Sequence, residues 1–235
     1  MQLIVLASGR GSRLQKLTLD KPKCLVPIRS KTILKRISKN FIKFNETIIV
    51  TGYKSKMINK EFPKIKKIVN TKFMSTNMVH SLFCARKYIK NDIIISYSDI
   101  VFDDKIIDKM IKFNYSHIPL NKEWLNLWKK RMDEKKINDD AEDLLTKKNK
   151  VISIGNKIKT RRPKLQFMGL IKLKFKDFKK LYKYFINLNN PKIDMTNFLN
   201  NALKDKVISL NYFETSRYWF EVDNIKDKKI TEKHL

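Results

Sequence analysis

The chain has 235 residues, of which 52 are Lys or Arg and 23 are Asp or Glu, for a formal net charge of +29. This length is enough to bury a full hydrophobic core in one large α/β domain or two small ones. No stretch approaches the roughly 18 apolar residues of a membrane span, and the first apolar run is too short for a signal peptide. The two cysteines, Cys24 and Cys84, do not make a disulfide framework. We therefore expect a cytoplasmic protein with no membrane partner.

The surplus of positive charge raises the question of polyanion binding. The lysines are spread along the whole chain among Ile, Asn and Phe, with no arginine-rich tail or aromatic stacking motif. Base readout favours Arg, whereas Lys far outnumbers Arg here. We interpret most of the charge as a solvated surface and expect no specific nucleic-acid partner. A non-catalytic protein that binds RNA through this surface is a remote alternative.

Short β-branched runs alternate with helical patterns along the first half, which is typical of βαβ units and a mostly parallel sheet. The predicted strands are Gln2–Leu6, Glu46–Thr51, Lys66–Val69 and Asp92–Tyr97. The predicted helices are Lys31–Ile42, Lys54–Lys60, Asn77–Ile89 and Asp103–Lys112.

The second half continues the mixture of strands and helices. Strands are predicted at His117–Leu120, Lys150–Ile154, Leu165–Leu173, Val207–Tyr212 and Tyr218–Val222. Helices are predicted at Glu123–Arg131, Phe175–Phe185 and Met195–Leu203. No linker separates domains, so we expect one domain over residues 1–235 with a small acceptor-binding or lid-like insertion at about residues 115–170.

The loop after the first strand, here called the glycine loop (residues 8–14), is rich in glycine and positive charge. Gly9 and Gly11 have no Cβ, so backbone N–H groups can approach an anion closely. Arg13 and the later Lys23 add full charges, the first as a planar fork and the second as a point charge. Leu14 stands where a dinucleotide fingerprint needs its third glycine, and the Gly-Lys-Ser/Thr of a Walker loop is absent. The loop indicates another kind of phosphate-binding device.

Two blocks of fixed order follow the first strand: residues 9–14 read Gly-Arg-Gly-Ser-Arg-Leu, and residues 17–23 read Leu-Thr-Leu-Asp-Lys-Pro-Lys. This pattern resembles the signature of the nucleotidylyltransferases. The resemblance implies that Lys23 and Arg13 are catalytic. It also implies a nucleotide-binding set of Leu6, Ala7, Ser8, Gly9, Gly11, Ser12, Arg13, Lys23 and Asn77. For Asn77, helix capping, a base contact and an acceptor contact are all open.

Two acidic residues at strand ends are candidate metal ligands. Asp99 follows the strand Asp92–Tyr97, at the edge where open parallel sheets bind ligands. Asp223 ends a Trp-Phe-Glu-Val-Asp run, and Glu221 lies on the same side of that strand. Both aspartates resemble the family's metal ligands, which implies Mg²⁺ as the cofactor, with Glu221 an alternative to Asp223. The alternatives without a metal are a solvated turn acid for Asp99 and a helix cap for Asp223.

Inner blocks narrow the family. Residues 73–83, and the Trp-x3-Trp-x2-Arg, Asp-Ala-Glu and Gln-Phe-Met-Gly-Leu blocks between residues 124 and 170, resemble the bacterial phosphocholine, phosphoglutamine and phosphonate cytidylyltransferases. The implied acceptor-binding set is Trp124, Trp128, Arg131, Asp140 and Glu142. The two tryptophans share one helix face and could hold an ammonium group, or both could be core residues. Arg131 could instead meet a carboxylate or phosphate.

Together these patterns predict a Rossmann-like α/β fold of the nucleotide-diphospho-sugar transferase type, with a mostly parallel sheet flanked by helices. The implied activity is a Mg²⁺-dependent cytidylyltransferase that couples CTP to a small phosphorylated or phosphonate acceptor and releases pyrophosphate. Relatives of this kind serve capsule or surface-polysaccharide modification. The alternative is a sugar-1-phosphate nucleotidylyltransferase that uses UTP, GTP or dTTP. The oligomeric state stays open, with a homodimer as one option.

Overall fold

A ten-stranded sheet lies at the centre of residues 1–158 and 161–235, which the computed structural model describes. The strands are β1 Gln2–Ala7, β2 Pro27–Ile28, β3 Lys31–Thr32, β4 Glu46–Thr51, β5 Lys66–Val69, β6 Ile93–Tyr97, β7 Ile100–Phe102, β8 His117–Asn121, β9 Glu142–Lys147, β10 Lys150–Lys157, β11 Gln166–Phe167, β12 Leu170–Leu173, β13 Asn211–Thr215 and β14 Trp219–Glu221.

Helices flank the sheet. The α-helices are α1 Ile33–Ile37, α2 Ser55–Glu61, α3 Met78–Cys84, α4 Lys105–Lys112, α5 Trp124–Lys129, α6 Glu134–Asp140, α7 Phe175–Leu188, α8 Met195–Lys204 and α9 Ile225–His234. Short 3₁₀ helices cover Ser12–Thr18, Lys23–Leu25, Ser38–Lys43 and Arg86–Tyr88. No described helix is long and apolar enough to cross a membrane.

The central sheet runs in the order β5-β4-β1-β6-β12-β8-β13-β10-β9, and β11 also pairs with β8. Strands β5, β4, β1 and β6 are parallel to one another. Strand β12 runs antiparallel to β6 and β8, β13 runs parallel to β8, and β9 and β10 form an antiparallel hairpin. Two small sheets, β2-β3 and β7-β14, lie outside this order. The parallel half carries the glycine loop.

Apolar side chains cover both faces of the sheet. Successive residues of β1 point to opposite faces, so Leu3 and Val5 join one buried cluster while Ile4 and Leu6 join the other. A strand buried on both faces is expected to be a continuous apolar run, which is how β1 reads in the sequence.

Several element predictions are confirmed and others differ, and for two of the differences the backbone gives the reason. The strands Glu46–Thr51 and Lys66–Val69 are confirmed at both ends. The run Leu165–Leu173 is two strands rather than one, because Gly169 adopts φ +74° between β11 and β12. The strand predicted at Val207–Tyr212 is wrong for its first four residues, because the chain passes through a left-handed Lys206 and β13 begins only at Asn211.

The segment expected to form an insertion is built into the fold. The hairpin β9–β10, which the sequence analysis did not predict, turns through Lys148 and Asn149 with φ of 47° and 59°, the geometry of a tight two-residue hairpin loop. Strands β8, β9, β10 and β11 all join the central sheet. The described part of residues 115–170 is therefore continuous with the core, and its role as a lid stays a prediction.

Candidate active site

Segments far apart in the sequence meet at one edge of the sheet. Strands β1 and β6 are parallel neighbours, so the loops after Ala7 and Tyr97 leave the sheet on the same side. Asp223 follows β14, which pairs with β7 just beyond Asp99. The Nζ of Lys23 lies 2.8 Å from Asp99 Oδ2 and 2.6 Å from Asp223 Oδ1. The structure thus brings the predicted catalytic lysine together with both predicted metal ligands.

Gly11 lets the stem of Lys23 lie against the glycine loop. Gly11 has φ +75° and ψ 46°, a left-handed conformation that favours glycine. A Cβ added to Gly11 would lie only 2.6 Å from the Cβ of Lys23. Gly9 differs, because a Cβ added there would meet no atom within 4 Å. The fold of the chain itself therefore requires Gly11 but not Gly9.

This contrast gives a matched pair of stability predictions. We expect Gly11→Ala to lower the free energy of unfolding by about 1–3 kcal/mol, the cost of one strained backbone position. We expect Gly9→Ala to change it by less than about 0.5 kcal/mol, as for surface substitutions. Urea unfolding of both variants measures the difference. Equal stability of the two would contradict the left-handed geometry assigned to Gly11.

Opposite charges stabilise each other at the Lys23 cluster (Lys23, Asp99 and Asp223). Burial alone would lower the pKa of Lys23, whose side chain is 12% exposed, but the two carboxylates raise it above its ordinary value. Burial alone would raise the pKa of Asp223, but three nearby cations hold it below its ordinary value. These cations are Lys23, Arg13 and Arg131. Arg13 reaches Asp223 at 2.9 Å from an exposed position.

Arg131 is held by carboxylates at the wall of the site. Its Nε and Nη2 donate to the two oxygens of Asp227, each at 2.9 Å, and its Nη1 donates to Glu221 at 3.2 Å. Asp227 also accepts the backbone N–H groups of Asp223 and Asn224 at 3.0 and 3.2 Å. The Arg131–Asp227 pair therefore positions the segment that carries Asp223. The sequence analysis missed Asp227, whose partner is 96 residues away.

A cavity of about 140 Å³ opens beside the glycine loop. Five predicted nucleotide-binding residues line it: Leu6, Ser8, Gly9, Lys23 and Asn77. Of the other four, Ala7 is buried in β1, Gly11 is half-buried, and Ser12 and Arg13 are exposed. The cavity also includes Asp99, so one acid of the Lys23 cluster faces into it.

Asn77 has a structural role in addition to its place at this cavity. Its Oδ1 accepts the backbone N–H of Met78 at 2.7 Å at the start of α3. Its Nδ2 donates to the carbonyl of Lys192 at 3.3 Å. The capping alternative is therefore confirmed, and a nucleotide contact by the same side chain stays a prediction.

A second cavity, of about 270 Å³, includes Asp223, and Met78 lines both cavities. Four of the five predicted acceptor residues line this second cavity: Trp128, Arg131, Asp140 and Glu142. Since Lys23 contacts Asp99 in one cavity and Asp223 in the other, its ammonium group lies where the two cavities meet.

Trp124 requires a correction, because it is a core residue. Its side chain is 1% exposed, and its Nε1 donates to the carbonyl of Pro163 at 3.2 Å. It packs edge-to-face against Trp128 with ring centroids 5.3 Å apart. Trp128 in turn stacks on Trp219 of β14. Helical spacing put both tryptophans on one face, but only Trp128 reaches the cavity.

The second cavity contains an acidic group that the sequence analysis did not assign. Asp194 and Thr196, at the start of α8, line it together with Glu142. Thr196 Oγ1 lies 2.7 Å from Glu142 Oε1 and 3.1 Å from Asp194 Oδ1. In the sequence, Asp194 reads only as a helix cap, which it also is, because it accepts the N–H of Asn197. The remaining lining residues without a predicted role are Met78, Tyr97, Gln166, Phe167, Gly169 and Met195.

The carboxylates of this cavity differ in how they titrate. Burial raises the pKa of Glu142, against the opposing hydrogen bond from Thr196. Burial raises the pKa of Glu221 to about 7, against the opposing charge of Arg131. Glu221 and Asp223 both contact Arg131, at 3.2 and 3.6 Å, but of the two only Asp223 also contacts Lys23, the partner of Asp99. The choice of Asp223 as the metal ligand stays a prediction.

The donor set at the Lys23 cluster fits a magnesium ion. Asp99 and Asp223 supply hard oxygen donors that converge on one cation, Lys23 Nζ. Mg²⁺ is commonly held by one or two carboxylates together with waters and substrate phosphates. Within residues 1–158 and 161–235, no group of three or more His, Cys, Asp or Glu side chains is arranged to hold a metal ion. The remaining ligands would therefore come from substrate or solvent.

Comparison with known proteins agrees with this geometry. Residues 3–117 match the MobA-like NTP transferase domain. CTP:phosphoglutamine cytidylyltransferase of Campylobacter jejuni is 31% identical, over 98% of this chain and 98% of its own length. The structure of CTP:phosphocholine cytidylyltransferase from Streptococcus pneumoniae aligns with a TM-score of 0.78 at 18% identity, over 99% of this chain and 98% of that one.

The inositol-1-phosphate CTP transferase from T. maritima aligns with a TM-score of 0.77 at 19% identity, over 99% of this chain and 95% of that one. At these identities the two structures show the fold alone, and the predicted Rossmann-like α/β class is confirmed. Because their names give two different acceptors, the fold does not decide which acceptor is used.

Proposed function

The chain belongs to the nucleotidyltransferase family that includes CTP:phosphoglutamine cytidylyltransferase, and it is a CTP-dependent cytidylyltransferase. We propose that its acceptor is a small phosphorylated compound carrying a primary amino group. One observation carries this proposal. Lys23 lies where a cavity beside the glycine loop meets a second cavity lined by acids.

The two cavities support a separate place for each of the two substrates. The triphosphate lies along the glycine loop, where Gly9 leaves open space and backbone N–H groups can meet phosphate oxygens. The acceptor lies in the second cavity with its phosphate toward Lys23. Both reacting groups are anions, so the cations between them offset the repulsion that would otherwise keep them apart.

The reaction then needs no covalent intermediate. An oxygen of the acceptor phosphate attacks the α-phosphorus of CTP and forms a new P–O bond. The bond from that phosphorus to the oxygen bridging to the β-phosphate breaks, and pyrophosphate leaves with the electron pair. Lys23 stabilises the charge that develops at the α-phosphoryl group, and Arg13 neutralises the departing pyrophosphate. An acceptor phosphate ionised at neutral pH needs no general base.

We propose that Mg²⁺ is the cofactor and that Asp99 and Asp223 hold it. When bound, the ion supplies charge neutralisation for the phosphates. The Arg131–Asp227 pair positions Asp223 for this role, because Asp227 accepts a hydrogen bond from the backbone N–H of Asp223.

The acids of the second cavity favour a cationic acceptor. Glu142, Asp194 and Asp140 line it, and of the arginines there Arg131 is already paired with carboxylates. The hydroxyl groups of a hexose phosphate could donate hydrogen bonds to these acids but would bring no positive charge to pair with them, and an unpaired charge is costly in a partly buried site. Because Trp124 is buried, only Trp128 of the two predicted tryptophans lines the second cavity. A primary ammonium paired with carboxylates therefore fits this cavity better than a quaternary ammonium held between two tryptophans.

A matched pair of acceptors tests this proposal. We expect pyrophosphate release from CTP with 2-aminoethylphosphonate to exceed release with ethylphosphonate at least about tenfold in kcat/KM, the scale of one lost hydrogen bond to a charged group. Phosphoglutamine extends the panel within the primary amines, and phosphocholine adds a quaternary ammonium for comparison. Equal rates for the two phosphonates, or a preference for hexose-1-phosphates, would overturn the amino-acceptor assignment.

Replacing Glu142 by glutamine tests the acid that recognises the amino group. The amide keeps the shape and can still accept from Thr196, but the negative charge is lost. We expect the acceptor KM to rise about tenfold or more with the CTP KM unchanged. Asp143→Asn is the control, because Asp143 points to the opposite face of β9. A rise in the CTP KM alone would place Glu142 with the nucleotide instead.

The substrate and the free cysteines bear on where the enzyme works in the cell. CTP is a cytoplasmic metabolite, and both cysteines are free thiols, so we propose a cytoplasmic location. We also propose that the CDP-activated product serves the modification of a surface polysaccharide. Light scattering tests the homodimer that the sequence analysis left open.

A further inference from the structure

Lys23 occupies the position between the two acids that the proposed function assigns to a metal. Its ammonium lies 2.8 Å from Asp99 and 2.6 Å from Asp223, and its side chain is mostly buried. Both contacts are hydrogen-bonded ion pairs. The two carboxylates therefore already share a full positive charge supplied by the chain.

A divalent cation and this ammonium compete for the same oxygens. A Mg²⁺ ion bound by both carboxylates would lie next to a like charge, which opposes its binding. Resting on the proposed function, we infer that Lys23 is the resident counter-ion of Asp99 and Asp223, and that the divalent cation is taken up with the triphosphate rather than before it.

The path of the Lys23 side chain gives the triphosphate a way to draw the ammonium off the acids. The stem lies against Gly11 in the glycine loop, and the residue lines the cavity beside that loop. Phosphates bound along the loop would offer Lys23 several negative charges within reach of its flexible four-carbon stem. When the ammonium turns to the phosphates, the two carboxylate oxygens become available together.

The same geometry predicts how removal of Lys23 would affect metal binding. Asp99 and Asp223 would face each other with no cation between them, and close carboxylates repel when both are ionised. Arg13 and Arg131 would still contact Asp223 but not Asp99. A divalent cation then becomes the best available counter-ion, so removal of Lys23 should strengthen metal binding while it abolishes turnover.

The test is a titration of the full chain with Mn²⁺, a probe for carboxylate sites, followed by the EPR signal of the free ion and without nucleotide. We expect Lys23→Met to bind Mn²⁺ at least about tenfold more tightly than the unsubstituted protein, a difference of about 1.4 kcal/mol. Lys23→Arg, which keeps the charge, should bind as weakly as the unsubstituted protein. Adding Asp99→Asn to Lys23→Met should remove the gain.

A second measurement does not depend on any variant folding. With a CTP analogue that carries a methylene group between the α- and β-phosphates, the unsubstituted protein and the analogue together should bind Mn²⁺ at least about tenfold more tightly than either the protein alone or the analogue alone. Equal Mn²⁺ affinity with and without the analogue, or no gain in a folded Lys23→Met, would overturn the inference. Turnover of CTP is measured in the same preparation. If the enzyme is active but its Mn²⁺ binding is unchanged, the counter-ion role of Lys23 is wrong and the proposed function stands.

Discussion

Lys23→Ala should reduce turnover by about 100-fold or more, the usual scale for losing a preorganised charge-stabilising donor. The ammonium of Lys23 contacts Asp99 and Asp223 where the two cavities meet, so the substitution removes a positive charge from the place assigned to the reacting phosphates. The measurement is the steady-state rate of pyrophosphate release at saturating CTP and acceptor, with thermal unfolding as a check that the variant is folded.

Lys21→Ala is the matched control for this loss. Lys21 lies two residues earlier, and its ion pair with Asp20, at 3.6 Å, is away from the two cavities. We expect the Lys21 variant to keep its turnover within a few-fold. A folded Lys23→Ala with a rate near that of Lys21→Ala would remove Lys23 from the catalytic set.

Arg131→Met is expected to cost stability as well as activity. The substitution leaves the buried Asp227 carboxylate and the Glu221 carboxylate without their cation. Breaking a buried ion pair in this way costs about 3–5 kcal/mol, because the remaining charge stays desolvated and unpaired. Urea unfolding at neutral pH measures the change in the free energy of unfolding.

The control for Arg131 removes a positive charge from the same region. Lys129 pairs with Glu134 at 3.3 Å, and both side chains are exposed. Lys129→Met should therefore change the unfolding free energy by less than about 1 kcal/mol, as exposed pairs do. If Arg131→Met were no less stable than Lys129→Met, the Arg131–Asp227 pair would not hold the Asp223 segment.

The parts of the site that the sequence analysis found are those whose chemistry is local in the chain. A glycine loop after a buried strand, with Lys23 shortly beyond it, is readable because all its members lie within one short stretch. Asp99 is readable because an acid at the end of an apolar strand falls at a known edge of a parallel sheet. The structure places these residues together with Asp223.

The parts that were missed depend on tertiary contacts. Arg131 was grouped with the tryptophans through the resemblance of the Trp-x3-Trp-x2-Arg block, but it forms a two-pronged ion pair with Asp227, 96 residues away. Trp124 and Trp128 are the same residue type on one helix face, so the sequence cannot tell them apart. Their tertiary contacts do: Trp124 is buried and donates to Pro163, whereas Trp128 stacks on Trp219 and reaches the cavity.

The same limit applies to the acceptor side. Asp194 carries an ordinary capping signal, and its second role exists only because β9 brings Glu142 to Thr196. The strand break at Gly169 likewise follows from a positive φ that no periodic pattern predicts. Local patterns therefore could not predict the contacts of Asp194 beyond its capping role, nor the strand break at Gly169.

The most direct measurement of the central claim is product analysis by ³¹P NMR with Mg²⁺, across CTP, UTP, GTP and dTTP and with amino-bearing and sugar phosphates as acceptors. We expect stoichiometric pyrophosphate and a CDP-linked product from CTP and an amino-bearing acceptor, with little or none from the other triphosphates. Product formed only from another triphosphate and a hexose-1-phosphate would contradict it.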